Sequence, residues 1–391
     1  MILKNNLILF IGLLIGCTFL GCTEVIEIKT TDFQNILVIN ANITSDTKQQ
    51  QVLLSRTYEA GSTKINETNA SVIISDNTNT IYQFSEIEDG LYVSNFSFAI
   101  QADKTYQLSV TTSDGEIYKS AIVKPISSAN LENVKTVVNT DDNGIEGVEI
   151  KVDSYDATGM ANYFRYEYEE TYLIESFYEI FEDLIVVGYD SLPQFARVPK
   201  TKEEKICYKT EYSNDILITS TDNATESRVT DFQIRFIPKT DFSIRNRYSI
   251  LVYQYVQSRE ANAFYKSLKE FSSSESLFSQ TQPGFIVGNI KPENINNKVI
   301  GFFEVSMVDS KRIFFNFKDV FPDDFRPRFI SNCFSQTFNK SEYFELVKYI
   351  ESGKYKYVSY DYVTSVYTIV NDFCVDCTLL GTNVKPSFWE D

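Results

Sequence analysis

Short runs of alternating apolar and polar residues dominate the chain from residue 30 to residue 125. Alternation with a period of two predicts β-strands with one buried face. Clusters of Asn, Asp and Gly separate the runs, and these residue types tolerate the conformations that tight turns require. The predicted strand runs lie at residues 36–39, 52–54, 72–74, 81–84, 91–93, 105–111 and 117–118. Residues 30–125 are therefore predicted to form an immunoglobulin-like β-sandwich.

The remaining chain, residues 126–391, continues the strand pattern but contains two segments of helical period. The first predicted helix covers residues 259–271, with Ser258 as its N-cap. Its predicted buried positions are Ala263, Tyr265, Leu268 and Phe271. The second covers residues 340–352, with Asn339 and Glu342 spaced as a capping box and Gly353 as the C-terminal glycine. Its apolar stripe consists of Tyr343, Phe344, Val347 and Ile350. The predicted fold class is mainly β, with a larger β-rich domain and two short helices following the sandwich.

The first 21 residues have the pattern of a secretory signal. Lys4 is their only charged residue, and residues 7–21 are apolar or small apart from Cys17 and Thr18. A helix of about 15 residues extends about 22 Å, which is shorter than the roughly 30 Å hydrocarbon core of a bilayer. The segment ends in a small residue followed by Cys22, which is the pattern of a bacterial lipoprotein signal.

We therefore predict that residues 1–21 are removed, that Cys22 is lipidated, and that residues 22–29 form a lipidated linker to the membrane. Several acyl chains give stable anchoring, whereas one gives only marginal binding. Cys17 is a competing site, but cleavage before it would leave Phe19 and Leu20 at the mature terminus. An ordinary secretory signal with incidental cysteines is the other alternative.

The composition argues against several classes of function. The chain has 36 basic and 53 acidic residues, a net charge of -17, which disfavours binding to nucleic acid. It contains no histidine, so histidine-based nucleophile activation, proton transfer and metal ligation are all removed. There is also no phosphate-binding glycine loop of the P-loop type. No cofactor and no metal site is predicted, and an enzyme is the least favoured class.

Four cysteines remain beyond the signal: Cys207, Cys333, Cys374 and Cys377. Outside the cytoplasm an even number favours disulfides. We expect Cys333 to bridge either Cys374 or Cys377, and Cys207 to pair with the other. A redox role for the C-terminal pair and a four-cysteine zinc site are the alternatives, and each lacks the sequence context that its chemistry needs.

Aromatic and acidic clusters are the other candidates for chemistry. Glu167 and Glu169 alternate with tyrosines on a predicted strand, and five tyrosines lie between residues 354 and 367. One hypothesis is a sugar-stacking platform or a glycosidase carboxylate pair; the other is an aromatic core beside a solvated face. The segment 141–144 is interpreted as a turn rather than as a calcium loop, because the further ligands are missing.

The single tryptophan, Trp389, lies near the C-terminus, about a dozen residues after the last cysteine. Termini are usually frayed unless something holds them in place. A disulfide and a large aromatic side chain together predict a C-terminal tail that packs against the second domain. The alternative is an exposed tail in which Phe388 and Trp389 dock onto a partner.

Nearly the whole mature chain resembles the domain of unknown function 4249 family. The segments that carry the resemblance are residues 22–27, 37–41, 166–171, 207–211, 247–252, 263–269, 288–290, 301–303, 310–313, 374–378 and 383–389. Gly381 stands beside Thr382 where a second glycine is expected. The resemblance implies a predicted outer-membrane lipoprotein of Bacteroidota-type bacteria, often encoded beside a TonB-dependent transporter, with no enzymatic activity and no catalytic residues.

Two hypotheses for function follow. The first is an accessory or binding lipoprotein of the outer membrane, associated with a TonB-dependent transporter and with a small-molecule or glycan ligand that the sequence does not identify. The second is a surface structural or adhesion lipoprotein with no role in transport. A transporter gene beside this one would favour the first.

Overall fold

The computed structural model describes residues 35–58, 63–273 and 286–391. Its strands, in chain order, are β1 (Leu37–Thr44), β2 (Gln51–Arg56), β3 (Ile65–Asn66), β4 (Ser71–Asp76), β5 (Ile81–Glu88), β6 (Leu91–Ser94), β7 (Tyr106–Thr111), β8 (Ile117–Ser120), β9 (Asn130–Thr140), β10 (Glu146–Tyr155), β11 (Tyr163–Glu175), β12 (Glu182–Tyr189), β13 (Pro193–Pro199), β14 (Ile206–Tyr212), β15 (Leu217–Ser220), β16 (Arg228–Pro238), β17 (Arg247–Val256), β18 (Ile290–Pro292), β19 (Val299–Ser306), β20 (Val308–Asn316), β21 (Gln336–Phe338), β22 (Tyr355–Asp361) and β23 (Val366–Asn371). The α-helices in these residues are α1 (Arg259–Ser273), α2 (Phe317–Val320) and α3 (Tyr343–Glu351). The prediction of a mainly β fold is confirmed.

The first sheet has ten strands and folds around one apolar core. Its order is β18-β8-β7-β4-β5-β6-β2-β1-β19, and β3 pairs with β2. Strand β1 contributes every second residue to the core, namely Leu37, Ile39, Ala41 and Ile43. Its other residues face away from the core, as the alternation of a strand requires. Because β18 and β19 come from residues 290–306, this sheet uses chain from both sides of the boundary predicted at residue 125.

Asn289 joins the two end strands of this sheet. Its Oδ1 accepts from the backbone N–H of Phe303 at 2.7 Å, and its Nδ2 donates to the Phe303 carbonyl at 2.8 Å. Beside it, a Cβ on Gly288 would lie 1.6 Å from the carbonyl oxygen of Gly301, so a side chain cannot be accommodated there. The close approach of β18 and β19 therefore depends on glycine at residue 288.

Two further sheets share a second core. The three-stranded sheet has the order β16-β10-β9. The five-stranded sheet has the order β14-β11-β17-β20, with β15 beside β11. Their facing residues, such as Ile150 on β10, Phe164 on β11 and Ile250 on β17, are fully buried. The second core thus forms between two layers of antiparallel strands.

The first and second cores are connected by two consecutive strands, β19 and β20, which belong to different sheets. Strand β19 pairs with β1 in the first sheet, and β20 pairs with β17 in the five-stranded sheet. Only Met307 lies between β19 and β20, and its carbonyl accepts from the N–H of Val256 at 3.0 Å. This short connection places β1 close to β17.

A smaller third part consists of the β12–β13 hairpin, helix α3 and the sheet β21-β23-β22. Most of the tyrosines between residues 354 and 367 pack here around Ile369 and Leu346, which are fully buried. The rings of Tyr360 and Tyr367 lie 4.3 Å apart. In this segment the tyrosines therefore mainly fill a core, whereas Tyr362 is exposed.

Helix α1 begins where it was predicted, but it buries a different face. The Ser258 hydroxyl accepts from the N–H of Ala261 at 3.1 Å, as an N-cap does. The buried residues are Ala261 and Phe264, with Tyr265 and Leu268 partly buried, while Ala263 and Phe271 are exposed. The prediction of burial for Ala263 and Phe271 was wrong. The buried face of the helix starts at Ala261 and continues three, four and seven residues later, so Ala263 and Phe271 lie outside it.

The second predicted helix is shorter than expected. Residues Lys340–Glu342 form a 3-10 turn, and α3 then continues to Glu351. The capping box between Asn339 and Glu342 is present, and Gly353 has φ 71°. Phe344 was predicted in the buried stripe but is exposed, and Leu346 is buried in its place. None of the described helices has the length and apolar character needed to span a bilayer.

Candidate functional site: a polar cleft between two sheets

A cleft of about 590 Å³ separates the outer face of the first sheet from the five-stranded sheet. Its residues on the first side come from β1, β2, the connection between them and the first residue of β6, and those on the second side come from β11, β14 and β17. Each wall is the strand face that points away from its own core. The site therefore exists because β20 brings the two sheets together.

The first wall is mainly polar, with amide side chains, one hydroxyl and Lys48 beside Leu53 and Leu91. On β1, the residues facing the cleft are Asn40, Asn42 and Thr44. Asn42 pairs in register with Gln51 on β2 and with Glu304 on β19, so a row of polar side chains crosses three strands. Amide side chains offer both donors and acceptors to a ligand.

Gln50 holds this wall in place. Its Oε1 accepts from the N–H of Thr44 at 3.1 Å, and its Nε2 donates to the carbonyls of Thr44, Asp46 and Phe98 at 3.2, 3.1 and 2.9 Å. The Gln50 side chain is therefore occupied by structural bonds. Thr44 is 1% exposed, and its Oγ1 has no hydrogen-bond partner among the described residues.

The second wall carries two aligned tyrosines. Tyr253 and Tyr255 lie two residues apart on β17, so they share the face opposite the core. Their ring centroids are 6.4 Å apart and their planes differ by 20°. Burial raises the pKa of both phenols, and the negative charges of Glu169 beside Tyr253 and of Glu167 beside Tyr255 raise it further. Both phenols therefore keep their protons at neutral pH.

A buried ionic network contacts two residues of the cleft, Glu167 and Tyr255. The guanidinium of Arg165 contacts the carboxylate of Glu167 and lies 3.2 Å from Oε2 of Glu304. It also lies over the rings of Tyr255 and Tyr265, at 4.3 and 4.9 Å from their centroids. Burial alone would lower the pKa of Arg165, but Glu304 and its other neighbours hold it well above the ordinary value. Arg165 is therefore a permanent cation between the two sheets.

Both carboxylates that line the cleft have a cationic partner. Oε2 of Glu167 accepts from the Tyr255 hydroxyl at 3.0 Å, in addition to its contact with Arg165. Glu169 lies 3.0 Å from Arg312, which in turn covers the ring of Phe388 at 3.5 Å. The two carboxylates predicted from the sequence thus lie together on one wall, but each is already engaged. This arrangement is suited to binding a ligand.

The cysteines lie away from the cleft and form two disulfides. Cys207 is bonded to Cys377, and Cys333 is bonded to Cys374. This is one of the two arrangements that the sequence left open. Because residues 374 and 377 have different partners, they do not form a disulfide with each other. No group of three or more potential metal-ligating side chains occurs in the ranges that the structure describes.

Cys22 and Cys17 lie outside the described residues, so lipidation remains a prediction.

The segment 141–144 forms a turn, in which the N–H of Gly144 donates to the Asp141 carbonyl at 2.9 Å. The predicted packing of the tail is confirmed, because Trp389 is 6% exposed and its ring lies 5.0 Å from that of Tyr208 and 5.7 Å from that of Phe314.

The amide wall and the tyrosine pair were not among the sequence candidates. The only local signal is that polar residues occupy the outer positions of β1, where Asn40, Asn42 and Thr44 alternate with core residues. Any solvated strand face would show the same pattern. The facing wall begins more than 100 residues later in the chain, and nothing local links the two.

The fold and the cleft define a mainly β, disulfide-linked protein with a preformed polar site between its sheets. The chain belongs to the family described as domain of unknown function (DUF4249), whose model matches residues 23–312. That match includes both walls of the cleft and Cys207, whereas Cys333, Cys374, Cys377 and Trp389 follow it.

No curated protein matches the chain. Among solved structures, a DUF4785 family protein from Legionella pneumophila is similar to 55% of this chain, with 8% sequence identity. The chain spans half the length of that protein, and the TM-score is 0.17. A similarity at that level carries no argument about fold or function.

Proposed function

We propose that this protein is a lipid-anchored accessory of the outer membrane that holds a ligand for a TonB-dependent transporter. The observation that supports it is the cleft between the two sheets. Its volume of about 590 Å³ lies within the range of roughly 300–1,000 Å³ that is common for ligand pockets. Pockets of this kind occur preferentially where two structural units meet.

The side chains of the cleft favour binding over catalysis. Arg165 and Arg312 engage the two lining carboxylates, and the two phenols remain protonated. A general acid or base must reach a proton on the substrate, and a nucleophile needs a neighbouring base. Paired carboxylates beside protonated phenols instead form a fixed surface of donors and acceptors.

The sequence supplies the proposed membrane anchor. From Cys22 to Asn35, where the described structure begins, the chain advances by 13 residues. A chain of that length reaches at most about 45 Å when fully extended. Lipidation of Cys22 would therefore keep the cleft within a short distance of the membrane surface, where a transporter would receive the ligand.

Two variants test the anchor. Cys22→Ala is expected to abolish incorporation of a labelled fatty acid and to shift the protein out of the membrane fraction, because that cysteine would carry the acyl chains. Cys17→Ala is the matched control and is expected to remain acylated. If Cys22→Ala remained acylated and Cys17→Ala did not, the anchor would be assigned to the wrong cysteine.

Affinity purification tests the partner. The full-length protein, tagged at its C-terminus and extracted in mild detergent, is expected to retain a TonB-dependent transporter that mass spectrometry identifies. Cys22→Ala, which lacks the anchor, serves as the control for contacts made only after extraction. Two results together would favour the structural or adhesion alternative. The acylated protein would be recovered without any transporter, and cells that lack the lipoprotein would adhere less.

A further inference from the structure

We infer that the ligand of the cleft is a neutral carbohydrate. This inference rests on the proposed role as a binding protein and names the class of ligand. It is carried by three features of the walls: compensated charge, accessible tyrosine rings, and a buried hydroxyl that lacks a partner among the described residues. Each of them restricts the chemistry of the ligand in a different way.

The charges of the cleft argue for an uncharged ligand. Glu167 and Glu169 are the lining carboxylates, and Arg165 and Arg312 contact them. Lys48 is the lining cation, and it lies 3.9 Å from Asp46. An anion would meet these carboxylates within a protein of net charge -17. A cationic ligand would have to compete with a guanidinium for each carboxylate. The cleft therefore offers no unpaired charge among its described lining residues to either an anionic or a cationic ligand.

Tyr253 and Tyr212 provide the aromatic surface for a sugar ring, because both line the cleft and neither is buried. Tyr255 is 5% exposed, with Arg165 over its ring at 4.3 Å, and its ring lies nearly parallel to that of Tyr253 at 6.4 Å. The face of an aromatic ring is electronegative and attracts the slightly positive C–H groups that line one face of a pyranose. Glu167 and Tyr255 are hydrogen-bonded at 3.0 Å, so the ring of Tyr255 is held in position before a ligand arrives.

The opposite wall provides the hydrogen bonds that hydroxyl groups need. Sugar hydroxyls both donate and accept, as do the side-chain amides of Asn40, Asn42 and Gln51. Oδ1 of Asn42 and Oγ1 of Thr44 are buried and have no partner among the described residues. An unpaired buried polar atom costs free energy. A ligand hydroxyl that bonds to Thr44 would remove that cost.

The experiment is isothermal titration calorimetry with the folded, soluble chain that begins at Cys22 and carries Cys22→Ala. The probes are neutral oligosaccharides of glucose, mannose, xylose and galactose, with oligogalacturonate as the charged counterpart. At least one neutral series is expected to bind, and oligogalacturonate is expected not to bind. The affinity for the neutral ligand should not change between low and high salt, because no ion pair forms.

Three variants separate recognition from folding. Tyr253→Ala removes the ring of the tyrosine pair that a ligand can reach and is expected to lower the affinity about tenfold. Thr44→Val removes a hydroxyl that has no partner in the free protein, so the midpoint of thermal unfolding should stay the same or rise. The affinity should nevertheless fall about fivefold, the value of one hydrogen bond. Tyr189→Ala, at an exposed tyrosine outside the cleft, is the control and should bind like the parent.

Two results would overturn the inference. One is that no neutral oligosaccharide binds. The other is that binding occurs but is unaffected by both Tyr253→Ala and Thr44→Val. Peptides from a casein digest are titrated in parallel, and a peptide whose binding depends on Tyr253 would replace carbohydrate as the ligand while leaving the binding role intact. The transporter purification described above does not depend on the ligand, so failure of the carbohydrate assignment and failure of the proposed function are distinguishable.

Discussion

Single residues fix parts of this molecule that secondary structure leaves free, and Trp389 is the clearest case. It lies two residues before the last residue of the chain, yet its ring packs between Tyr208 on β14 and Phe314 on β20. Neighbouring Phe388 lies under the guanidinium of Arg312. The tail is thus held by packing against the five-stranded sheet.

Trp389→Ala is expected to lower the free energy of unfolding by about 3–5 kcal/mol, as truncation of a buried aromatic does. Urea denaturation followed by circular dichroism measures this change. Phe325→Ala is the control, since Phe325 is 99% exposed. Fluorescence of the native parent should be blue-shifted and protected from quenchers. A loss no larger than that of the control would contradict the packing argument.

Asp76 links one side chain to the pH dependence of stability. Its carboxylate accepts from Nζ of Lys104 at 2.7 Å and from the N–H groups of Thr78 and Thr80, both at 2.9 Å. Burial alone would raise the pKa of Asp76, but these donors lower it far below the ordinary value. The folded pKa is therefore below the unfolded value of about 3.9.

A lowered pKa means that Asp76 stabilises the fold fully above its unfolded pKa, and that this contribution is lost as the pH falls through the folded pKa. Asp76→Asn should therefore be less stable than the parent at pH 7, and the difference should shrink below about pH 4. Urea denaturation at a series of pH values provides the measurement. A difference that stays constant from pH 7 to pH 3 would exclude the ionised carboxylate as its cause.

At the scale of elements, the local signals in the sequence were reliable at the ends of helices and at turns. The capping box at Asn339, the N-cap at Ser258 and the turn at Asp141 all depend on bonds within a few residues. The buried faces were less reliable. Phe271 and Phe344 are apolar but exposed, because burial depends on which neighbour a helix meets.

The two disulfides join elements that are distant in the chain. Cys207–Cys377 closes a separation of 170 residues, and Cys333–Cys374 closes one of 41. On the loop-entropy model, replacing both cysteines of a pair by serine costs about 5 kcal/mol for the longer loop and about 4 kcal/mol for the shorter one. Chemical denaturation of the two double variants measures the costs. A clearly larger loss from the shorter loop would contradict the entropic explanation.

At the scale of the whole molecule, the contact between the first and the five-stranded sheet creates the cleft and also stabilises the fold. Besides its contact with Arg165, the buried carboxylate of Glu304 accepts from Gln257 at 3.1 Å and from Ser306 at 2.8 Å. The bonds from Arg165 and Gln257 join β19 of the first sheet to β11 and to the residue that follows β17 in the five-stranded sheet. The network therefore sets the relative position of the two walls.

Glu304→Ala would leave Arg165 buried without one of its counterions, which is expected to cost about 3–5 kcal/mol. The same variant should weaken ligand binding, because the walls would lose their fixed spacing. Glu293→Ala is the control, since Glu293 pairs with Lys119 at the surface and such pairs contribute little. Equal effects of the two variants on unfolding would show that the Arg165 network does not hold the sheets together.

The sequence by itself determined the mainly β character, the turn at Asp141, the ends of two helices and the packing of the tail, because each follows from local periodicity or from a strong single-residue preference. It also brought Glu167 and Glu169 forward as a pair. Only the tertiary structure decided that β18 and β19 complete the first sheet, and that Asn42 and Thr44 face Tyr253 across a cleft. Those contacts join residues up to some 260 positions apart, such as Ser45 and Val308. Contacts at that distance depend on the complementary shapes of whole sheets. The alternation within one strand shows which face is buried but does not identify the distant strand that it will meet.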